Sequence, residues 1–110
     1  MAKYEKIVQG DFDEILSKLD QAVMKGSLSA SYEDGSDFNE GEFRCAVRVY
    51  ERYSALGANR VSLSITLVGG KEKQYLSAIT SGGSQGVLMK FNTWGEESFL
   101  DTISGVIEEL

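Results

Sequence analysis

A chain of 110 residues, 42% hydrophobic and 25% charged, has the length of one domain and the composition of an ordinary globular protein, able to build one core and hardly a second. A single cysteine and no histidine exclude an internal disulfide, a multi-cysteine metal site, a histidine general base, a Ser-His-Asp triad and the usual zinc ligand sets. The net charge of −6 argues against nonspecific nucleic-acid binding, which needs a basic surface to neutralise phosphates; no apolar run approaches about 20 residues and the N-terminus lacks a signal-like core, so no membrane span is expected and the cytoplasm is the default compartment.

Residues 3–9 alternate as a short strand, with Tyr4, Lys6 and Val8 on one side and Ile7 on the other. Asp11 stands where a helix N-cap belongs, with Glu14 three residues on as a capping box. Phe12, Ile15, Leu16, Leu19, Val23 and Met24 then share one helical face, which predicts a helix over about Phe12–Lys25 stopped by a left-handed Gly26. Leu28, Ala30 and Tyr32 alternate with serines as a second strand. Glu33–Glu42, with five acids and no base, reads as a solvated connecting loop; its acids do not fit the ligand spacing of a calcium-binding EF-hand.

The next two strands carry the clearest alternation. In Phe43–Tyr53, Phe43, Cys45, Val47 and Val49 alternate with Arg44, Ala46, Arg48, Tyr50 and Arg52; in Arg60–Val68, Val61, Leu63, Ile65 and Leu67 alternate with serines and a threonine. A three-residue hairpin loop at Ala55-Leu56-Gly57 sets Val49 opposite Leu63, Val47 opposite Ile65 and Cys45 opposite Leu67, so the apolar sets share one face. A second hairpin around Gly69–Glu72 returns through Lys73–Thr80, with Val68 opposite Lys73 and Ile65 opposite Leu76. The glycine-rich segment 81–86 interrupts the sheet, Val87–Phe91 resumes it, and Thr93 with Glu96 caps a last helix over about Gly95–Glu109.

The expected fold is therefore a single α+β domain over residues 1–110, a two-layer sandwich of order β-α-β(4-5)-α in which both helices cover the apolar face of an antiparallel sheet. On the polar face, Arg44, Arg48 and Arg52 recur about 13 Å apart at about 3.3 Å per residue, with Tyr50 between them and Arg60 opposite Arg52. Like charges placed opposite each other call for an anion: the chain's own acidic segment, an acidic patch on a second subunit, or an anionic ligand. A solvated face with internal salt bridges is the leading reading of that cluster, ahead of an interface and of an anion site. Ser84 and Gln85, held between glycines, have no evident structural task and form a candidate ligand contact. The glycines around them are more readily a bulge than a phosphate loop, since a strand follows and no GK[ST] occurs. Trp94 is either an anchor for the last helix or a ligand stack. Cys45, on the expected core face, is an inert small hydrophobe.

No pair of acid–base groups stands near a nucleophile in any recognisable motif, and no cofactor or metal motif is present. The leading expectation is a non-enzymatic binding or interaction domain, self-associating through the polar sheet face or an edge strand. The alternative is a carrier of a small anionic or apolar ligand, with its pocket between sheet and helices near the glycine-rich loop. The block SGGSQGVLMKFNTWGEESFL, with VSLSITLVGG upstream, resembles a small bacterial family classed only as a domain of unknown function, over nearly the whole chain. That resemblance implies no activity and carries over no site residues. The order of elements is also similar to helix-grip and TATA-binding-protein-like folds, an architectural likeness only.

Overall fold

The computed structural model describes residues 1–27, 29–54, 59–82, 99–101 and 103–110. In chain order these form β1 (Ala2–Gln9), α1 (Phe12–Gly26), β2 (Ser31–Glu40), β3 (Phe43–Ser54), β4 (Asn59–Gly69) and β5 (Lys73–Gly82), followed by a helix, α2, with helical residues 99–101 and 103–108. The five strands make one antiparallel sheet in the order β1-β5-β4-β3-β2. The fold is α+β, with a five-strand antiparallel sheet and two helices packed on one of its faces. The expected bulge at 81–86, strand at Val87–Phe91 and cap at Thr93 fall largely or wholly on residues 83–98, outside the described residues, as do Leu28 and the Ala55-Leu56-Gly57 loop.

The first helix follows the sequence expectation closely. Asp11 accepts the Glu14 amide at 3.0 Å, satisfying one of the orphan N–H groups of the first turn. Phe12, Ile15, Leu19 and Val23 are buried along one stripe. The C-terminus differs: Gly26 is the last helical residue and the chain leaves through Ser27 in extended conformation (φ −151°, ψ 131°), with no left-handed glycine. Asp11→Ala should cost about 1 kcal/mol, read as a lower urea midpoint with an unchanged slope.

Against the helices the sheet presents Val8, Ala46, Tyr50, Val61, Leu63, Ile65, Leu67, Leu76 and Ala78, joined by Phe99, Leu100, Ile103 and Ile107 of α2. Lys6 reaches across from β1 to donate to the Ile107 carbonyl at 3.2 Å. A cation at the negative end of α2 offsets Glu108 and Glu109, whose charges oppose the dipole there.

Three expectations about the sheet are corrected. Most of the acidic segment is not a loop: β2 pairs with β3 through Glu40, and only Gly41 and Glu42 turn, with Gly41 at φ 60°. An edge strand needs pairing on one side only, so acids can occupy it and blunt the edge against aggregation; the register shift between Tyr32 and Asp34 adds a bulge to the same effect. Second, β3 pairs with β4 one residue away from the expected register: Tyr50 faces Leu63, Arg48 faces Ile65 and Ala46 faces Leu67. The connection spans four residues between the paired Ser54 and Asn59, and that one-residue change turns β3 over. Arg44, Ala46, Arg48, Tyr50 and Arg52 therefore look toward the helices, while Phe43, Cys45, Val47 and Val49 look away. Third, β4 and β5 are shifted by two residues, with Ile65 opposite Ala78 and Leu67 opposite Leu76. An even shift preserves the faces, which is why Tyr75 and Ile79 still point away from the core.

Candidate functional site

Placing the arginines beneath the helical layer changes what they can do. Arg44 lies with its guanidinium carbon 4.3 Å from the centroid of the Phe12 ring and holds Asp13 through two bonds of 2.9 Å. The bidentate bond holds the Asp13 carboxyl below its ordinary range and raises Arg44. Arg48 bonds Asp37 of β2 at 3.0 Å and its own strand's Val47 carbonyl at 2.9 Å. Arg52 lies 4.7 Å over the Phe99 ring of α2, and burial lowers its pKa. The three side chains thus lay their stems along the margin of the core and their heads on helix aromatics or carboxylates. They fasten β3 to α1, β2 and α2.

Tyr50 is the largest fully buried side chain among the described residues. Its hydroxyl donates to Asp20 of α1 at 2.8 Å, and its ring meets Tyr32 edge-on at 5.7 Å. Burial first, and then the bond to Asp20, push the phenol well above its usual value. Arg60 does not lie opposite Arg52. It is paired with Tyr53 on the other sheet face, where it bonds Glu51 at 2.6 Å and approaches Glu33 at 3.6 Å. The expected set therefore splits: Arg44, Arg48, Tyr50 and Arg52 share the helix-side face of β3, and Arg60 stands on the opposite face. The anions that meet Arg48 and Arg60 include Asp37 and Glu33 of the acidic segment itself. Ser84, Gln85 and Trp94, and with them the glycine-rich mouth expected for a carrier pocket, lie outside the described residues. An open groove of about 340 Å³ runs between the helices instead, lined by Lys18, Gln21, Ala22, Lys25, Val106 and Glu109.

The face away from the helices carries a feature that the sequence expectation did not assemble. Following the pairings strand by strand, Phe38 stands beside Cys45, Cys45 beside Val68, Val68 beside Tyr75, and Tyr75 beside Ile7. One apolar row therefore crosses all five strands. Phe38 is 58% exposed, Ile7 56% and Tyr75 42%, and exposed Phe43 and Ile79 with half-buried Val47 and Val49 extend the patch. No described residue packs over it. Contiguous apolar surface of this kind marks contact sites. Cys45, expected in the core, is half-buried in the middle of this row. The signal that could have found it was Ile7, read as facing away from Tyr4, Lys6 and Val8 on its strand.

Among the described residues, no group of three or more Cys, Asp or Glu side chains is arranged to hold a metal, and no helix is long and apolar enough to cross a membrane. No curated protein and no solved structure matches the chain. The family model described as a family of unknown function (DUF6054) matches residues 1–110, and the chain belongs to that family.

Proposed function

We propose that this protein is a cytoplasmic, non-enzymatic interaction domain that docks its partner on the open face of the sheet. The observation that carries this reading is the row Phe38-Cys45-Val68-Tyr75-Ile7. Leaving one such side chain in water is ordinary, but aligning five of them across every strand is not what a solvated face needs. A helix-grip-like arrangement, with both helices on one side, supports the same use, since it leaves the other side for contact. The helix-side arginines act as structural fasteners in this reading, and the polar face first expected to self-associate is replaced by the apolar one.

A photo-cross-linking side chain placed at Ile7 or Phe38 in living cells tests it, with Ser17 on the exposed side of α1 as the control. Discrete protein adducts are expected from the two sheet positions and not from the helix. Adducts from position 17 alone, or from none of the three, would refute it.

A further inference from the structure

We infer that the partner is a second copy of this chain, packed face to face about a two-fold axis running along the strands, so that β1 of each copy lies over β2 of the other. This rests on the interaction reading above and names its partner. Three observations lead to it.

The first is size. Five strands about 4.8 Å apart and about eight residues long at about 3.3 Å each give a face of about 600 Å². Two such faces remove about 1,200 Å² from water, the lower bound of a stable interface.

The second is the row itself. Reversed by such an axis, it lays Val68 on Val68, Cys45 on Tyr75 and Phe38 on Ile7, apolar upon apolar at every position. Sheets stacked about 10 Å apart bring such side chains into contact.

The third observation is charge, and it selects the axis. The row through Asp34, Val49, Ser64, Ile79 and Lys3 begins with an acid on β2 and ends with a base on β1. An axis along the strands sets each Lys3 over the other copy's Asp34. An axis across the strands would stack β2 on β2, placing Asp34 and Glu40 among their own copies, where like charges repel. Of these two orientations the first alone sets opposite charges over each other, with Lys3, which also meets Glu5 of its own strand at 3.3 Å, above the other copy's Asp34.

Sedimentation equilibrium of the full chain and of three variants tests the inference. The wild type is expected to dimerise. Lys3→Asp, which sets acid over acid, should weaken the dimer by about tenfold or more, and Lys3→Asp with Asp34→Lys should restore it; both positions are solvent-exposed, and because Lys3 also meets Glu5 at 3.3 Å and Asp34 accepts the Gly35 amide at 2.8 Å, urea midpoints of the monomers separate a folding loss from a loss of contact. A short bis-maleimide should join Cys45→Ser with Val68→Cys into a covalent dimer, because position 68 lies on the axis and the stacked sheets are spaced too far for a direct disulfide. Wild-type Cys45, displaced from the axis by a strand, should not. Failure of the charge swap to restore dimerisation, or efficient cross-linking through Cys45 alone, would overturn the axis. A chain that stays monomeric at about 200 µM, far above the dissociation constants of standard-size interfaces, would overturn the second copy as partner. In that case adducts of Ile7 and Phe38 with a different protein would still uphold the interaction reading, and their absence would remove both.

Discussion

Tyr50→Ala is expected to cost about 3–5 kcal/mol, the range for deleting a large aromatic side chain from a packed core, while Tyr50→Phe should cost only about 1 kcal/mol. The difference follows from where each end of the side chain sits. Tyr50 is 1% exposed and belongs to the core that residues of both helices share, so removal of its ring leaves a void. The hydroxyl donates to Asp20, whose own carboxylate is exposed and returns to water once the bond is lost, so little desolvation cost is stranded. Urea midpoints of the two variants measure the ratio. Equal losses would mean that the bond to Asp20, rather than burial of the ring, dominates.

The same placement predicts an alkaline signature. Tyr50 has its folded pKa raised above the unfolded value of about 10, so its contribution to stability is intact below that pH and is lost as pH rises beyond it. Of the five tyrosines, Tyr75 is raised too, by its bond to Glu5, but its place on the open face ties its ionisation to the contact made there and not to unfolding. An ultraviolet titration should show one phenol that ionises only as the chain unfolds, absent in Tyr50→Phe. Ionisation of every tyrosine before the loss of secondary structure would contradict the burial of Tyr50.

The fold was legible in the sequence where one physical signal dominated and illegible where two competed. The first helix was legible because cap, apolar stripe and dipole charges agree. In β4, Val61, Leu63, Ile65 and Leu67 are all buried as their alternation requires. In β3 the alternation was right but the face was wrong: four apolar side chains outweighed Ala46 and Tyr50 by hydropathy, yet arginine stems and a tyrosine ring fill a core margin as well as valines do. The loop length that would have decided between the faces differs by one residue, the smallest change a sheet register can undergo. The acidic strand was illegible for another reason, since its propensity is that of a loop and its structure comes from backbone pairing to β3. The open-face row was the costliest omission: its five members come from five strands, and only the strand pairings set them side by side.

Gln74→Glu should be the most damaging near-isosteric change, costing about 3 kcal/mol or more at pH 7. Gln74 is 1% exposed, and its Nε2 donates to the Gly10 carbonyl at 3.2 Å and the Gly70 carbonyl at 3.0 Å. With the Gly10 amide donating to Glu72 at 2.8 Å, the pair of bonds ties the turn into α1 to the turn between β4 and β5. Gly69 lies against the amide so closely that a Cβ there would collide with Gln74 and the Lys73 carbonyl. The Oε1 is buried without a hydrogen-bond partner among the described residues. A carboxylate in this place would face two carbonyl oxygens in a dry site, so both burial and repulsion favour its protonated form. The folded pKa of the new carboxyl is therefore raised above the unfolded value of about 4.3. The charge penalty is absent below that pH and grows as pH rises through the interval up to the folded value. Urea midpoints relative to wild type should fall from pH 4 to pH 7 for Gln74→Glu, whereas Gln74→Leu, which strands two carbonyls but carries no charge, should lose about 1–3 kcal/mol at every pH. Parallel curves for the two variants would mean that position 74 is hydrated. Because Gln74 and Tyr75 are neighbours on opposite faces of β5, the clamp that sets α1 on one side also holds the register that aligns Tyr75 with Val68 and Ile7 on the other. Loosening it should weaken docking on the open face without altering any residue of that face.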